Sequence, residues 1–156
     1  MVKLANAARL FVDGRILVQG DSSCAVTLET INTGLHYGIQ FNQSSYGRGS
    51  IIDNLSIVNS MYGVTIYGSN PVLNNVTVVN PSRVAVDLFS SANPIIRDLV
   101  VDQAGRGFSY ADWRYGIGLS VGAGSAPVVE RAILSDMRIR GLNIWGDSGG
   151  IFSGVT

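Results

Sequence analysis

Hydrophobic and polar residues alternate along this chain in short blocks that align with one another. SIIDNLSIVN (50–59), PVLNNVTVVN (71–80), PIIRDLVVDQ (94–103) and PVVERAILSD (127–136) form the clearest set. A further copy, GIFSGVT, begins at Gly150, and SCAVTLETIN (23–32) is a weaker early one. Between them runs a second recurring unit: GIQF (38–41), GVTIY (63–67), AVDLF (85–89), GIGLS (116–120) and GLNIW (141–145). The alignment makes columns: Ile52, Leu73, Ile96, Val129 and Phe152; Leu55, Val76, Leu99, Ala132 and Val155; Ile57, Val78, Val101 and Leu134. A period of two with Val, Ile and Thr enrichment predicts strands that bury one face, and no segment sustains the 3.6-residue period of a helix.

Each unit is too short to bury its face alone, so successive copies must stack into a solenoid. Gly, Pro, Asn and Ser fall at the corners, where the chain bends or φ turns positive. This arrangement resembles the right-handed parallel β-helix of the pectin-lyase-like superfamily, from about Thr30 to Thr156. The resemblance implies an all-β, single-stranded parallel β-helix of about five to six coils, some 25–30 Å tall at the usual strand spacing of roughly 4.8 Å. It implies no particular activity, because that fold hosts lyases, hydrolases, epimerases, phage tailspikes and adhesins. An antiparallel β-sandwich also uses many short strands, but repeats in register argue against it. The expected organisation is one domain over 1–156, with 1–30 as an N-terminal cap (a short amphipathic helix or irregular strand) or a first coil, and 104–115 as an inserted loop.

Composition narrows the classes of function. Charged residues make up 14% of the 156, and eleven basic and eleven acidic side chains cancel. No overall field draws in nucleic acid, and no apolar run approaches the ~18 residues of a spanning helix, so neither nucleic acid nor membrane is expected as a partner. Cys24 is the single cysteine, which leaves no internal disulfide and reads as a small buried hydrophobe. The start, MVKLANAARLFVDG, is interrupted by Arg9 and Asp13 and makes a poor secretory signal. A surface or extracellular location follows only from the family resemblance.

Charge and aromatic rings concentrate in AGRGFSYADWRYG (104–116). It occupies the turn that elsewhere reads TGLHY, SMY, PSRV and MRIR, with about eight to ten residues inserted. Stacking then places Tyr37, Tyr62, Tyr115 and Arg140 in one column. His36, Arg83 and Arg114 lie in the next, with Arg138 nearby and Tyr110 and Trp113 in the insertion. Rings stack on the apolar faces of sugars and arginine forks hold carboxylates, so this edge suits an acidic polysaccharide. The plainer reading is that long side chains cover coil edges with their stems. A second patch, Tyr67, Asp87, Phe89, Asn143 and Trp145, offers a sugar platform or an aromatic ladder that only stabilises the stack.

Asp112 and Arg114 are the catalytic candidates, as a carboxylate and a base of the kind the resemblance implies for enzymes of the group. RIR (138–140) is similar to a segment of polygalacturonase-like hydrolases, but the other segments of that family are absent. His36, the single histidine, lacks the Gly-x-Ser-x-Gly of a serine hydrolase and reads as a satisfied edge residue. The absence of Cys/His clusters and Asp-rich loops predicts no metal and no cofactor. Asn54, Asn75 and Asp98 read as a corner ladder.

The sequence therefore points to a β-helix module that binds polysaccharide or serves as a structural element of an adhesin or tailspike-like surface protein. A polysaccharide lyase or glycoside hydrolase with its cleft beside 104–115 is the alternative. An end-to-end spacer is a third reading, since the final coil shows no cap and is expected either to meet a second copy or to continue in a longer parent chain.

Overall fold

The computed structural model of the protein describes residues 1–21, 23–106 and 115–156. Its strands, in chain order, are β1 (Val2–Leu4), β2 (Leu10–Val12), β3 (Leu17–Gln19), β4 (Val26–Thr30), β5 (Ile39–Phe41), β6 (Ile51–Val58), β7 (Tyr62–Tyr67), β8 (Val72–Val79), β9 (Val84–Phe89), β10 (Ile95–Asp102), β11 (Ile117–Val121), β12 (Val128–Ser135), β13 (Arg140–Ile144) and β14 (Ile151–Val155). Among the described residues every strand pair is parallel, which removes the antiparallel sandwich. One sheet runs β1-β4-β6-β8-β10-β12-β14 with β3 alongside β6, and the other runs β13-β11-β9-β7-β5-β2, so one strand per coil marks six coils.

The predicted columns are the core. Ile52, Leu73, Ile96 and Val129 pair in sequence and are 0% exposed. Leu55, Val76, Leu99 and Ala132 form the next row, at 3% exposure or less. Inward positions within β6, β8 and β10 fall at the second, fifth and seventh residues. A flat strand would keep strict alternation, so the chain must turn a corner at the fourth residue. That residue is Asn54, Asn75, Asp98 and Arg131 in successive coils, with φ of 55°, 49°, 54° and 57°. Each coil thus has three sides, two of them carried by one bent strand.

Asparagine tolerates this left-handed backbone and lets the corner bond to its neighbour. Asn54 Nδ2 donates to the Gly20 carbonyl at 2.9 Å, Asn75 Nδ2 donates to Asn54 Oδ1, and Arg131 grips Asp98 with two bonds of 2.6 and 2.8 Å. Asn75→Ala should lower stability by about 1–2 kcal/mol, from the left-handed penalty and the lost bond, and Asn75→Gly by less. Thermal unfolding followed by circular dichroism checks this: equal melting points for the Ala and Gly variants would show that backbone conformation is not what asparagine supplies.

Among the described residues the first thirty contain no helix, and Cys24, expected to be buried, is exposed because it lies in the bend before β4 rather than on an inward strand position. β1 pairs with β4, β2 with β5, and β3 and β4 together cover the two halves of β6. SCAVTLETIN is offset from the alignment drawn above, because Val26 rather than Leu28 lies beside Leu55.

Candidate functional site

The site lies on the face built by β5, β7, β9, β11 and β13. Val64 and Ile66 point into the core, so the residue between them, Thr65, faces the other way, and its register partners follow. Gln40, Thr65, Asp87, Ser120 and Asn143 make one polar column, a residue per coil. Parallel strands set these side chains about 4.7–4.9 Å apart, close to the length of one sugar ring. Over Gln40, Thr65 and Asp87 the column is the floor of a groove of about 390 Å³. Thr65 and Asp87 are 9% and 5% exposed, and the Thr65 hydroxyl has no hydrogen-bond partner among the described residues.

One wall is a ladder of cations and rings. The Arg9 guanidinium lies 5.1 Å from the Tyr37 ring and 5.6 Å from the Tyr62 ring, and those two rings stack with centroids 6.3 Å apart. Arg83 lies 4.8 Å from the Tyr115 ring and 5.9 Å from that of Tyr62. Its two terminal nitrogens donate to the hydroxyls of Tyr62 and Tyr115, at 3.0 and 3.1 Å. Burial opposes the Arg83 charge, but the two phenol oxygens outweigh it and hold its pKa above the ordinary guanidinium value. Each cation–ring contact contributes about 0.5–1 kcal/mol at such half-open sites, so these contacts hold the wall together without a ligand. Arg9 also donates to Gln40 Oε1, which ties the wall to the floor.

The opposite wall is aromatic. Tyr67 and Phe89 are register partners that line the groove, and Trp145 meets Phe89 edge-on with centroids 6.2 Å apart. The Trp145 ring lies across Gly122, where a Cβ would come within 2.3 Å of it. Trp145 Nε1 donates to Ser120 Oγ at 3.3 Å, and Arg140 to Asn143 Oδ1 at 3.0 Å, so the floor and both flanks continue past the groove proper.

The structure therefore joins residues that the sequence separates. Tyr62 from the first patch and Tyr67, Asp87 and Phe89 from the second line one groove, with Tyr37, Arg83 and Tyr115 completing the first wall. Arg140 and Asn143 extend it, and Arg138 is exposed on the turn before β13. His36 does not belong to this surface: it is 0% exposed, and its ring is bonded to the chain on both sides. Register corrects two further placements. Ile117 pairs with Val84 and Arg140, so Ser120 sits in the polar column and Gly118 in the glycine column, two residues from the alignment drawn on sequence. Tyr115 accordingly precedes the Tyr37–Tyr62 column and joins the wall through Arg83. Arg9, absent from the sequence-based patches, is a central member of the site.

Tyr110, Asp112, Trp113 and Arg114 lie outside the described residues. On either side of them Gly105 and Gly116 have φ of 77° and 79°, and a Cβ on Gly105 would come within 2.6 Å of Gly116 Cα. Only glycine permits that conformation together with that approach. Gly105 and Gly116 thus lie side by side, next to Tyr115 and the cation–ring wall. Among the described residues no group of three or more His, Cys, Asp or Glu side chains is placed to hold a metal ion, and no helix is long and apolar enough to cross a membrane.

No curated protein matches the chain. Among solved structures it is similar to the crystal structure of an alginate lyase from Paenibacillus sp. str. FPU-7, at 13% identity and a TM-score of 0.47, covering 98% of this chain. The chain spans 57% of the length of that protein. A family model described as a right-handed β-helix region matches residues 14–155, which agrees with the parallel registers and the inward columns strand by strand. This chain belongs to the right-handed β-helix family.

Proposed function

We propose that this module binds an acidic polysaccharide lengthwise along the groove, one sugar unit to each coil. The observation that carries the reading is the polar column Gln40–Thr65–Asp87–Ser120–Asn143, set between a cation–ring wall and an aromatic wall. Hydroxyls and amides on the floor suit sugar hydroxyls, and Tyr67 and Phe89 suit the apolar faces of the rings. Arg9, Arg83 and Arg140 border the column against one floor carboxylate, Asp87, so the local balance favours an anionic chain although the protein as a whole is neutral. Arg83 is occupied by its two tyrosines, which makes Arg9 and Arg140 the cations better placed to receive sugar carboxylates.

Native electrophoresis through gels cast with polygalacturonate or alginate tests this. The wild-type protein should be retarded, less so as salt rises. Tyr67→Ala should weaken retention about tenfold, the loss of one stacked ring, and Arg9→Gln by a similar factor, with melting points little changed in Tyr67→Ala because that ring is 49% exposed. A wild-type protein that passes both acidic gels unretarded sinks the proposal. Cleavage is the second reading, favoured by the placement of a nearly buried carboxylate, Asp87, in mid-floor. Shortened polymer in the same gels would replace binding with catalysis and make Asp87→Asn the first variant to assay.

A further inference from the structure

The aromatic wall has a second side. Immediately after Tyr67 and Phe89 the chain turns through Gly68, Ser90 and Ser91, and there it faces the 3₁₀ turn Gln43–Ser45 and the ring of Tyr46. Together with Asn93 these residues line a separate depression of about 520 Å³. Its rim is held by contacts between and within coils. Ser45 Oγ and Ser69 Oγ are 2.8 Å apart, Gly47 N–H donates to Asn70 Oδ1 at 2.7 Å, and Ser45 Oγ donates to the Asn42 carbonyl at 2.6 Å. Asn93, which also lines the depression, is held through Oδ1, which accepts from the Ala126 N–H at 2.9 Å.

The chemistry of this lining differs from that of the groove. None of the six residues is charged, so an anion or a cation placed there would lose hydration without gaining a counter-charge. What the lining offers is two serine hydroxyls, two side-chain amides and a tyrosine ring that is 57% exposed. Convergent neutral donors and acceptors beside one open ring match a neutral polyol with an apolar face. We infer that this depression is a binding site for a single neutral hexose unit of an oligosaccharide. It is separated from the charged groove by the Tyr67–Phe89 wall, and it does not depend on the groove binding an acidic polymer.

The test is a titration of the isotopically labelled protein with neutral oligosaccharides, namely cellotetraose, mannotetraose and galactotetraose, followed by amide chemical shifts. At least one should perturb the amides of residues 43–49 and 90–93 while leaving those of Thr65, Asp87 and Ser120 in place. Tyr46→Ala should weaken that binding about tenfold, and Tyr67→Ala should leave the same shifts at 43–49 and 90–93. Polygalacturonate retention should be unaffected by Tyr46→Ala, so the two sites fail or succeed separately. Shifts confined to the groove, or none with any of the three sugars at millimolar concentration, would overturn the inference.

Discussion

Ile96→Asp is expected to abolish cooperative folding, whereas Ile133→Asp, on the neighbouring strand, is expected to melt within a few degrees of the wild type. Ile96 is 0% exposed and sits between Leu73 and Val129 in the innermost column of the stack. Its removal forfeits about 2–5 kcal/mol of packing, and the carboxylate put in its place lies between the buried apolar side chains of Leu73 and Val129. Together these exceed the roughly 5–15 kcal/mol that holds a domain folded, or come close to it. A solenoid adds a second reason. Each coil is stabilised mainly by its two neighbours, and Ile96 lies in a middle coil, so its loss divides the stack into two short pieces. Ile133, 53% exposed on β12, carries the same substitution into solvent. Soluble yield and urea unfolding of the two variants decide the matter. A cooperative transition for Ile96→Asp near the wild-type midpoint would mean that the columns are not the core.

Much of this architecture is legible in the sequence because the residues that stack also repeat. Ile52, Leu73, Ile96, Val129 and Phe152 fall into one column by letter and pair as such in space. The alignment slips where the period offers no protection. A shift of two residues preserves which face each side chain takes, so inward and outward patterns cannot detect it. That is the error at β11, where Tyr115-Gly116 imitates the start of a unit that begins at Ile117-Gly118, and again at β4. Arg9 is missed for another reason. Strands β1, β2 and β3 have three residues each, too few to show a period, so the segment that completes the groove wall carries no repeat signal. Gln43, Tyr46 and Ser91 belong to no repeat column, and only their spacing in three dimensions gathers them around one depression. Exposed and buried turn positions are equally hard to separate. His36 and Tyr37 are adjacent in a turn, yet one is sealed in the core and the other stacks on the outer wall.

His36 supplies the second large effect, on stability and its dependence on pH. Its Nδ1 accepts from the Gly38 N–H at 3.0 Å, so Nε2 carries the proton and donates to the Val58 carbonyl at 3.2 Å. His36→Ala removes both partners from buried backbone groups and opens a cavity, which should cost roughly 3–5 kcal/mol. Burial lowers the pKa of the ring from the ordinary value of 6.5, and hydrogen bonding to the Val58 carbonyl recovers only part of the shift. Below pH 6.5 the unfolded chain takes up a proton that the folded chain refuses, so stability is full above that pH and declines as pH falls towards the lowered folded value. Above about pH 5 ordinary carboxylates stay ionised, and His36 is the single histidine, so a slope between those limits belongs to it. Urea unfolding at a series of pH values should show that slope in the wild type and lose it in His36→Gln, whose amide can accept from Gly38 and donate to Val58 without titrating. The same slope in His36→Gln would assign the pH dependence elsewhere. A flat wild-type profile would mean that the buried ring takes its proton as readily as an exposed one, which its two hydrogen bonds and full burial contradict.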